Sequence, residues 1–133
     1  MRFYQYVKSI TESLKKKCFP DTKIVNSDGS LRVVYHGTNQ QFNRFSLKNS
    51  TQGIIWFSTD KEKILRGESG AAGNNRIISM YVDIKNPAGW EEYEKLMLFQ
   101  IKSEGFDGVI LRDEGTEDFD GFVFSPKQIK IIK

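Results

Sequence analysis

The only histidine of the chain, His36, stands in the run Val33-Val34-Tyr35-His36-Gly37-Thr38. A β-rich run that ends in His-Gly-Thr places an imidazole at the tip of a strand. The glycine there lets a ligand approach the backbone without a Cβ in the way. His36 is therefore the first candidate for a functional residue. A lone histidine is more often an ordinary core or surface residue, because short motifs carry a high false-positive risk.

Two further candidates are also associated with strands. Trp56 lies in the apolar run 53–58 together with Phe57 and Ser58, and Asp120 stands just before the apolar run 122–124. The ordinary interpretations are a core tryptophan and a solvated aspartate. The acidic residues Glu114, Glu117 and Asp118 lie in the same segment as Asp120, and any of them would replace it if the register were shifted.

The composition predicts a single domain, 1–133, with 38% hydrophobic and 28% charged residues, as in soluble globular proteins. No apolar run approaches the roughly 20 residues of a membrane-spanning helix, and the N-terminus lacks the apolar core of a signal peptide. A cytoplasmic location is therefore expected. The single cysteine, Cys18, cannot form an internal disulfide. One histidine and one cysteine make no ligand cluster, so no metal site is predicted.

Charge is distributed unevenly, with basic residues concentrated in 1–17 and acidic residues in 104–120. This polarity suggests a partner at the basic N-terminal segment, while the ordinary interpretation is two solvated faces. Nucleic-acid binding by this segment and by Lys127, Lys130 and Lys133 is less favoured, because these lysines are not interleaved with aromatic residues. A steep salt dependence of binding would support it.

In the first half of the chain, apolar residues at helical spacing predict an amphipathic helix over 1–19. The turn 26–30 separates the β-rich segments 23–25 and 31–35, which predicts a hairpin leading into the strand of His36. A buried strand is predicted over 53–58, followed by an N-cap at Asp60 and a short helix. The glycine-rich loop 67–75 lacks the spacing of a phosphate-binding loop, and we interpret it as a mobile lid or acceptor contact.

In the second half, strict alternation predicts a strand over 78–84, and helical spacing predicts one amphipathic helix over 93–101 that ends at Gly105. Three β-rich runs follow, at 109–111, 122–124 and 129–132. The fold class is therefore α+β, with about six strands and two or three helices. The strands are too short and too directly joined for a parallel sheet built from βαβ crossovers, so mostly antiparallel or mixed sheets are expected.

Taken in order, these motifs resemble the ADP-ribosyltransferase fold, specifically the clade with a histidine, an aromatic residue and an acid on three separated strands. The nearest likeness is to the ADP-ribosyltransferase-like domains of phage and bacterial polyvalent proteins. It covers residues 22–132 and leaves the N-terminal helix outside. The matching motifs are 24–29, 34–38, Phe42 with Phe45, 53–59, 85–87, 106–110 and 123–130. The resemblance implies two packed, mostly antiparallel or mixed sheets flanked by helices.

The same resemblance implies NAD as a substrate and assigns roles to the candidates. His36 would bind the adenosine-side ribose, the backbone of Gly37 the nicotinamide amide, and Trp56 the nicotinamide ring. Asp120 would bind the nicotinamide ribose and offset the positive charge that develops there. Thr38, Phe57 and Ser58 would complete the NAD-binding strands. The chain departs from the family where Trp56 replaces the usual tyrosine and where Asp120 replaces the usual glutamate.

The function expected on this basis is mono-ADP-ribosylation of a protein or nucleic-acid acceptor. One alternative is an NAD glycohydrolase, which uses water as the acceptor in the same pocket. The other is a catalytically inactive binding module that keeps the fold and engages a partner through the basic helix or the acidic segment.

Overall fold

The computed structural model describes residues 19–38, 53–68 and 76–132. The strands of this described part are β1 (Val34–Thr38), β2 (Ile55–Ser58), β3 (Arg76–Val82), β4 (Pro87–Ala88), β5 (Gly108–Arg112), β6 (Phe119–Val123) and β7 (Ile129–Ile131). The helices are α1 (Lys61–Leu65), α2 (Trp90–Lys95) and α3 (Leu98–Ser103), with a 3₁₀ turn at Pro126–Gln128. The predicted α+β class is confirmed.

The described strands form one mixed sheet in the order β4-β5-β6-β2-β1-β3-β7, where two packed sheets were expected. Two groups of strands are nevertheless recognisable, because β1 and β2 share one registered pair, Tyr35 with Ser58. By comparison, β1 and β3 are registered over all five residues of β1. The narrow join between β1 and β2 is called the seam below. It connects a four-stranded group to a three-stranded group edge to edge.

The only parallel pairing among the described strands is between β4 and β5, where Pro87 is opposite Gly108 and Ala88 opposite Val109. Helices α2 and α3 make the connection between these two strands. This unit is a short βαβ crossover within a sheet whose other described pairings are antiparallel, so the expected mostly antiparallel or mixed arrangement is confirmed. Pro87 is compatible with β4 because β4 is an edge strand. Proline lacks a backbone N–H, and at an edge this absence costs no hydrogen bond between strands.

Each face of the sheet carries its own buried cluster, as the alternation of side chains along a strand requires. The first face holds Ile24, Val34, Ile55, Phe57, Met80, Val82, Ile84, Phe119 and Val123. The other, called the helix face, holds Ile54, Ala88, Ile101, Val109, Leu111, Phe122 and Phe124, with Trp56, Tyr93, Leu96, Leu98 and Phe106 packed against them. The central strands therefore bury side chains on both faces.

The predicted helix over 93–101 is wrong in one respect, because the structure divides it into α2 and α3. Leu96 and Met97 between them have extended backbones, with ψ of 151° and 160°. The side chain of Gln100 accepts a hydrogen bond from the Met97 N–H at 2.8 Å, which caps α3. The break lets Leu96 and Leu98 both pack on the helix face, which one straight helix would not allow.

Two strands differ from their predicted bounds in ways that matter for the candidate site. Strand β6 begins at Phe119 and not at residue 122, so Asp120 lies within the strand. Strand β1 continues to Thr38, so His36 lies inside β1 and not at its tip. The predicted hairpin before β1 is reduced to one bridge between Val25 and Leu31.

The C-terminal motif resembling the family has a structural role that centres on Gln128. Its side-chain N–H₂ donates to the carbonyl oxygens of Asp83 at 2.9 Å and Asp107 at 2.6 Å. Its Oε1 accepts from the Phe124 N–H at 3.2 Å. One amide therefore joins the end of β3, the start of β5 and the end of β6. We call this arrangement the Gln128 clip.

Replacing Gln128 by Glu should lower the free energy of unfolding by about 2 kcal/mol, because a carboxylate cannot donate to the two carbonyls that the amide satisfies. Urea unfolding followed by far-UV circular dichroism measures the change. Lys127→Gln is the matched control, since Lys127 is exposed and the substitution alters the charge by the same amount. Equal stability of the two variants would contradict the role of the clip.

Several predicted features fall outside the described residues. They are residues 1–18 of the predicted N-terminal helix, which include Cys18, the pair Phe42 and Phe45, and most of the loop 67–75. Within the described part of the chain, no helix is both long enough and apolar enough to cross a membrane.

Candidate active site

The three candidate residues lie on strands that are neighbours in the sheet, in the order β6, β2, β1. Asp120 is on β6, Trp56 on β2 and His36 on β1. These positions are far apart in the sequence, and strand pairing makes them neighbours. The central strand β2 runs antiparallel to both of the others.

His36 lies at the seam, where its imidazole makes a hydrogen bond to the strand next to its own. Its Nδ1 is 2.6 Å from the backbone oxygen of Trp56. A carbonyl oxygen can only accept, so Nδ1 carries the proton and donates it. Burial lowers the pKa of His36 below its ordinary value of 6.5, although the hydrogen bond to Trp56 opposes this effect. The ring is therefore neutral at pH 7, and Nε2 carries a lone pair that can accept a hydrogen bond.

The imidazole resonance of His36 should titrate with a midpoint below pH 6.5, because burial disfavours the charged form. The unfolded chain binds the proton more readily, so the contribution of His36 to the free energy of unfolding should be greatest above pH 6.5 and fall as the pH decreases below it. Proton NMR measures the midpoint without ambiguity, because the chain has one histidine. A midpoint at or above 6.5 would refute the assignment of a buried neutral ring.

Trp56 is half-buried on the helix face, within a group of aromatic rings. Its indole packs against the Phe122 ring with centroids 4.8 Å apart and planes tilted by 41°. The ring of Tyr93 meets it edge-on at 6.3 Å. These contacts hold the indole in one orientation, while the half-exposed remainder of the side chain can contact a ligand.

Asp120 lies on the helix face beside Ser58, its partner in the register between β6 and β2. The Nζ of Lys63 is 3.4 Å from Oδ2 of Asp120, and the side chain of Asp120 is 13% exposed. The same ammonium group is 3.2 and 3.3 Å from the two carboxylate oxygens of Asp113. Lys63 therefore bridges two carboxylates, and we call these three residues the Lys63 bridge.

The other acids considered for the third position have different surroundings. Oδ1 of Asp118 accepts hydrogen bonds from Arg32 at 3.3 Å and from the Thr59 hydroxyl at 3.0 Å. Glu114 and Glu117 lie exposed in the turn between β5 and β6. Among these four acids, Asp120 is the one within a strand that pairs with the strand of Trp56.

The register does not place all three candidate side chains on one face. Tyr35, Ser58 and Asp120 form a line of paired residues across three strands, and Trp56 lies two residues from Ser58 on the same face. His36 is adjacent to Tyr35, so alternation directs it to the other face, opposite Ile78 of β3. His36 contacts the strand of Trp56 across the seam, through its hydrogen bond to the Trp56 backbone oxygen.

The remaining residues predicted to bind NAD lie on the same strands but are mostly buried. Phe57 is fully buried in the cluster of the first face, so its ring is a core residue and only its backbone is left for binding. The Ser58 side chain is buried, and its hydroxyl accepts from the Asp60 N–H at 3.1 Å. Gly37 and Thr38 are buried and pair with Ile77 and Arg76 of β3.

The sequence analysis did not identify two residues of this region, Lys63 and Asp113. Lys63 belongs to α1, whose N-cap Asp60 accepts hydrogen bonds from Glu62 and Lys63. Partial burial lowers the pKa of Lys63, but its hydrogen bond to Asp113 and the charges of Asp120 and Asp113 raise the pKa above its usual value. Lys63 is therefore protonated. In the sequence, these residues are indistinguishable from solvated charges.

An α+β sheet with a histidine, an aromatic residue and an acid on three neighbouring strands agrees with an ADP-ribosyltransferase-like domain. The family model described as ADP-ribosyltransferase in polyvalent proteins matches residues 26–100. This match spans more than half of the chain, and the chain belongs to that family. His36 and Trp56 lie within the matched residues, while Asp120 lies beyond them. Comparisons with curated proteins and with solved structures returned no match.

The family is one of ADP-ribosyltransferases, which use NAD as their substrate. In the described part of the chain, no three histidine, cysteine or acidic residues are grouped so that they could hold a metal ion.

Proposed function

We propose that this protein is an NAD-dependent mono-ADP-ribosyltransferase that transfers ADP-ribose to a macromolecular acceptor. Family membership supports the class of reaction. The observation that supports the assignment to particular residues is that β1, β2 and β6, which carry His36, Trp56 and Asp120, are neighbours in the sheet. Trp56 and Asp120 share the helix face, and His36 bonds to the backbone oxygen of Trp56 across the seam. The proposed site is on β1, β2 and β6 near the end of β1.

The reaction breaks the bond between the nicotinamide nitrogen and C1′ of the adjacent ribose. Nicotinamide leaves with the bonding electron pair, and positive charge develops on C1′ and the ring oxygen of the ribose. A nucleophile of the acceptor then bonds to C1′ and gives up its proton. Groups that are preorganised around this developing charge lower the barrier most.

His36 is suited to hold a hydroxyl group of NAD. Since Nδ1–H is engaged by the carbonyl of Trp56, Nε2 of the neutral ring is the acceptor. A ribose hydroxyl donates a hydrogen bond to such an acceptor. The hydrogen bond to Trp56 fixes the direction in which Nε2 points, so the ring is oriented before the substrate binds.

Trp56 and Asp120 are suited to the nicotinamide half of NAD. The indole of Trp56 is held by Phe122 and Tyr93, and a flat ring packs favourably on an aromatic face. Asp120 supplies negative charge on the same face of the sheet, two residues further along the paired strands. A carboxylate at this position would bind the ribose hydroxyl and offset the positive charge of the transition state.

The test incubates the purified chain, residues 1–133, with NAD labelled in its adenine ring, together with a bacterial lysate. Released nicotinamide is measured by chromatography, and label in protein and nucleic acid is measured after precipitation. The proposal expects both nicotinamide release and label bound covalently to one class of macromolecule. Excess nicotinamide, the leaving group, should suppress both signals.

Other results would assign the protein differently. Release of nicotinamide with no label on any macromolecule indicates a glycohydrolase, with water as the acceptor. Absence of nicotinamide release, with NAD binding or without it, indicates a binding module that has kept the fold. Either result would overturn the proposed transferase.

A further inference from the structure

We propose that Lys63 and Asp113 are positioning residues that orient Asp120 and leave one net negative charge on the three groups of the Lys63 bridge. This inference rests on the proposed function, because it concerns how the candidate acid is presented to the substrate. It concerns residues of α1 and of the turn after β5, which are outside the three strands that carry the candidate site.

The geometry of the bridge is unsymmetrical. The Lys63 ammonium group is 3.2 and 3.3 Å from the two oxygens of Asp113, while its approach to Asp120 is one contact at 3.4 Å. All three side chains are shielded, with 20% of Lys63, 32% of Asp113 and 13% of Asp120 exposed. Charges this close and partly removed from water interact strongly. Asp113 is therefore the nearer counter-ion of Lys63.

This asymmetry matters for catalysis because a lysine paired with Asp120 alone would cancel the charge that the reaction requires. With Asp113 present, the cation is matched by one carboxylate, and the charge of the second carboxylate remains. The contact of Nζ with Oδ2 also favours one orientation of the Asp120 carboxylate. A preoriented charge stabilises a cationic transition state without reorganisation during the reaction.

The positions of the two supporting residues follow from local structure. Asp60 caps α1 and sets Lys63 in the last turn of this short helix, where buried Ile64 packs α1 onto the sheet. Asp113 directly follows β5, and its N–H donates to the Asp118 carbonyl at 2.9 Å across the turn to β6. Both residues are thus fixed with respect to the strand of Asp120.

The experiment measures kcat and KM for nicotinamide release from NAD by four forms of the full chain: wild type, Asp113→Asn, Lys63→Met and the double variant. In Asp113→Asn, Lys63 faces Asp120 alone and cancels its charge, so kcat should fall about tenfold with a smaller change in KM. In the double variant the single negative charge returns, so kcat should recover to within about threefold of the wild type. Glu62→Gln, an exposed position on α1, is the control for a change of surface charge.

Recovery in the double variant is the decisive result, because a purely structural role predicts that two substitutions damage the enzyme more than one. Urea unfolding of each variant shows whether it is folded under the assay conditions. The inference is overturned if Asp113→Asn keeps the kcat of the wild type, or if the double variant is no more active than Asp113→Asn. If the wild type releases no nicotinamide, it is the proposed function that fails, so the two failures are distinguishable.

Discussion

Replacing Asp120 by Asn should lower kcat for nicotinamide release by about 100-fold or more, which is the usual cost of removing one preorganised electrostatic contact to a transition state. Asparagine has nearly the same shape as aspartate and can still bond a hydroxyl group, so KM for NAD should change much less. The Lys63 ammonium group and its nearer counter-ion Asp113 would remain as a neutral pair, so the bridge would keep no net negative charge to offset the developing positive charge. Steady-state kinetics with chromatographic detection of nicotinamide measures both constants.

Glu117→Gln is the informative companion, because Glu117 was an alternative for the same role and lies exposed in the turn before β6. It should retain the kcat of the wild type. If Glu117→Gln were the inactive variant and Asp120→Asn the active one, the assignment of the acid to β6 would be wrong.

Replacing Gly121 by Ala should lower the free energy of unfolding by about 3 kcal/mol, at the upper end of the usual cost of overpacking a core. A Cβ at this position would lie 2.3 Å from the backbone oxygen of Val109 and 2.7 Å from Cζ of the Phe57 ring. The first of these contacts is with the backbone of the paired strand β5, which cannot move without disturbing the sheet. The ring of Phe57 is fully buried, so a shift away from the new methyl group would disturb the packed core.

Gly89→Ala provides the comparison for Gly121→Ala, since a Cβ at residue 89 meets its nearest neighbours at 3.9 and 4.0 Å, which is ordinary contact. Its cost should stay below about 1 kcal/mol, in the range expected for alanine at an N-cap. Thermal and urea unfolding of the two variants beside the wild type measure the difference. Similar stabilities would show that β5 and β6 can separate to admit a methyl group.

Much of the fold could be predicted from the sequence where a pattern is local. Alternation over β3 and the unbroken apolar run of β2 identified these strands, because each pattern reflects burial of one face or of both. The start of β6 at Phe119 was missed because its pattern of apolar residues is interrupted. Gly121 contributes no apolar side chain at an inward position, so the alternation of Phe119, Gly121 and Val123 does not stand out as a strand.

The helix break between Leu96 and Met97 was not predictable from periodicity, because the apolar spacing of residues 93–101 continues through it. The break depends on tertiary packing against the helix face, together with the cap that Gln100 provides. Tertiary contacts of this kind override local propensity.

For the candidate site, residue types and motif order singled out His36, Trp56 and Asp120 as candidates, and their role in NAD binding stays a prediction. The sequence contains no sign of what supports them. The Lys63 bridge joins Lys63 of α1 to two acids at least 50 positions further along the chain, and only the folded structure brings them together. The neutral state of His36 likewise depends on burial at the seam. These features depend on which elements meet and which side chains are buried in the folded chain, and local sequence patterns do not show either.

The hydrogen bond between His36 and Trp56 would couple ligand binding at the imidazole to the strength of the seam. A donor that approaches Nε2 withdraws electron density from the imidazole and makes Nδ1–H a stronger donor, because hydrogen bonds in a chain reinforce one another. The partner of Nδ1–H is the backbone of β2, across the narrowest junction of the sheet. A hydroxyl group bonded to Nε2 would therefore strengthen the hydrogen bond between β1 and β2, and ligand binding would stabilise the join between the two groups of strands.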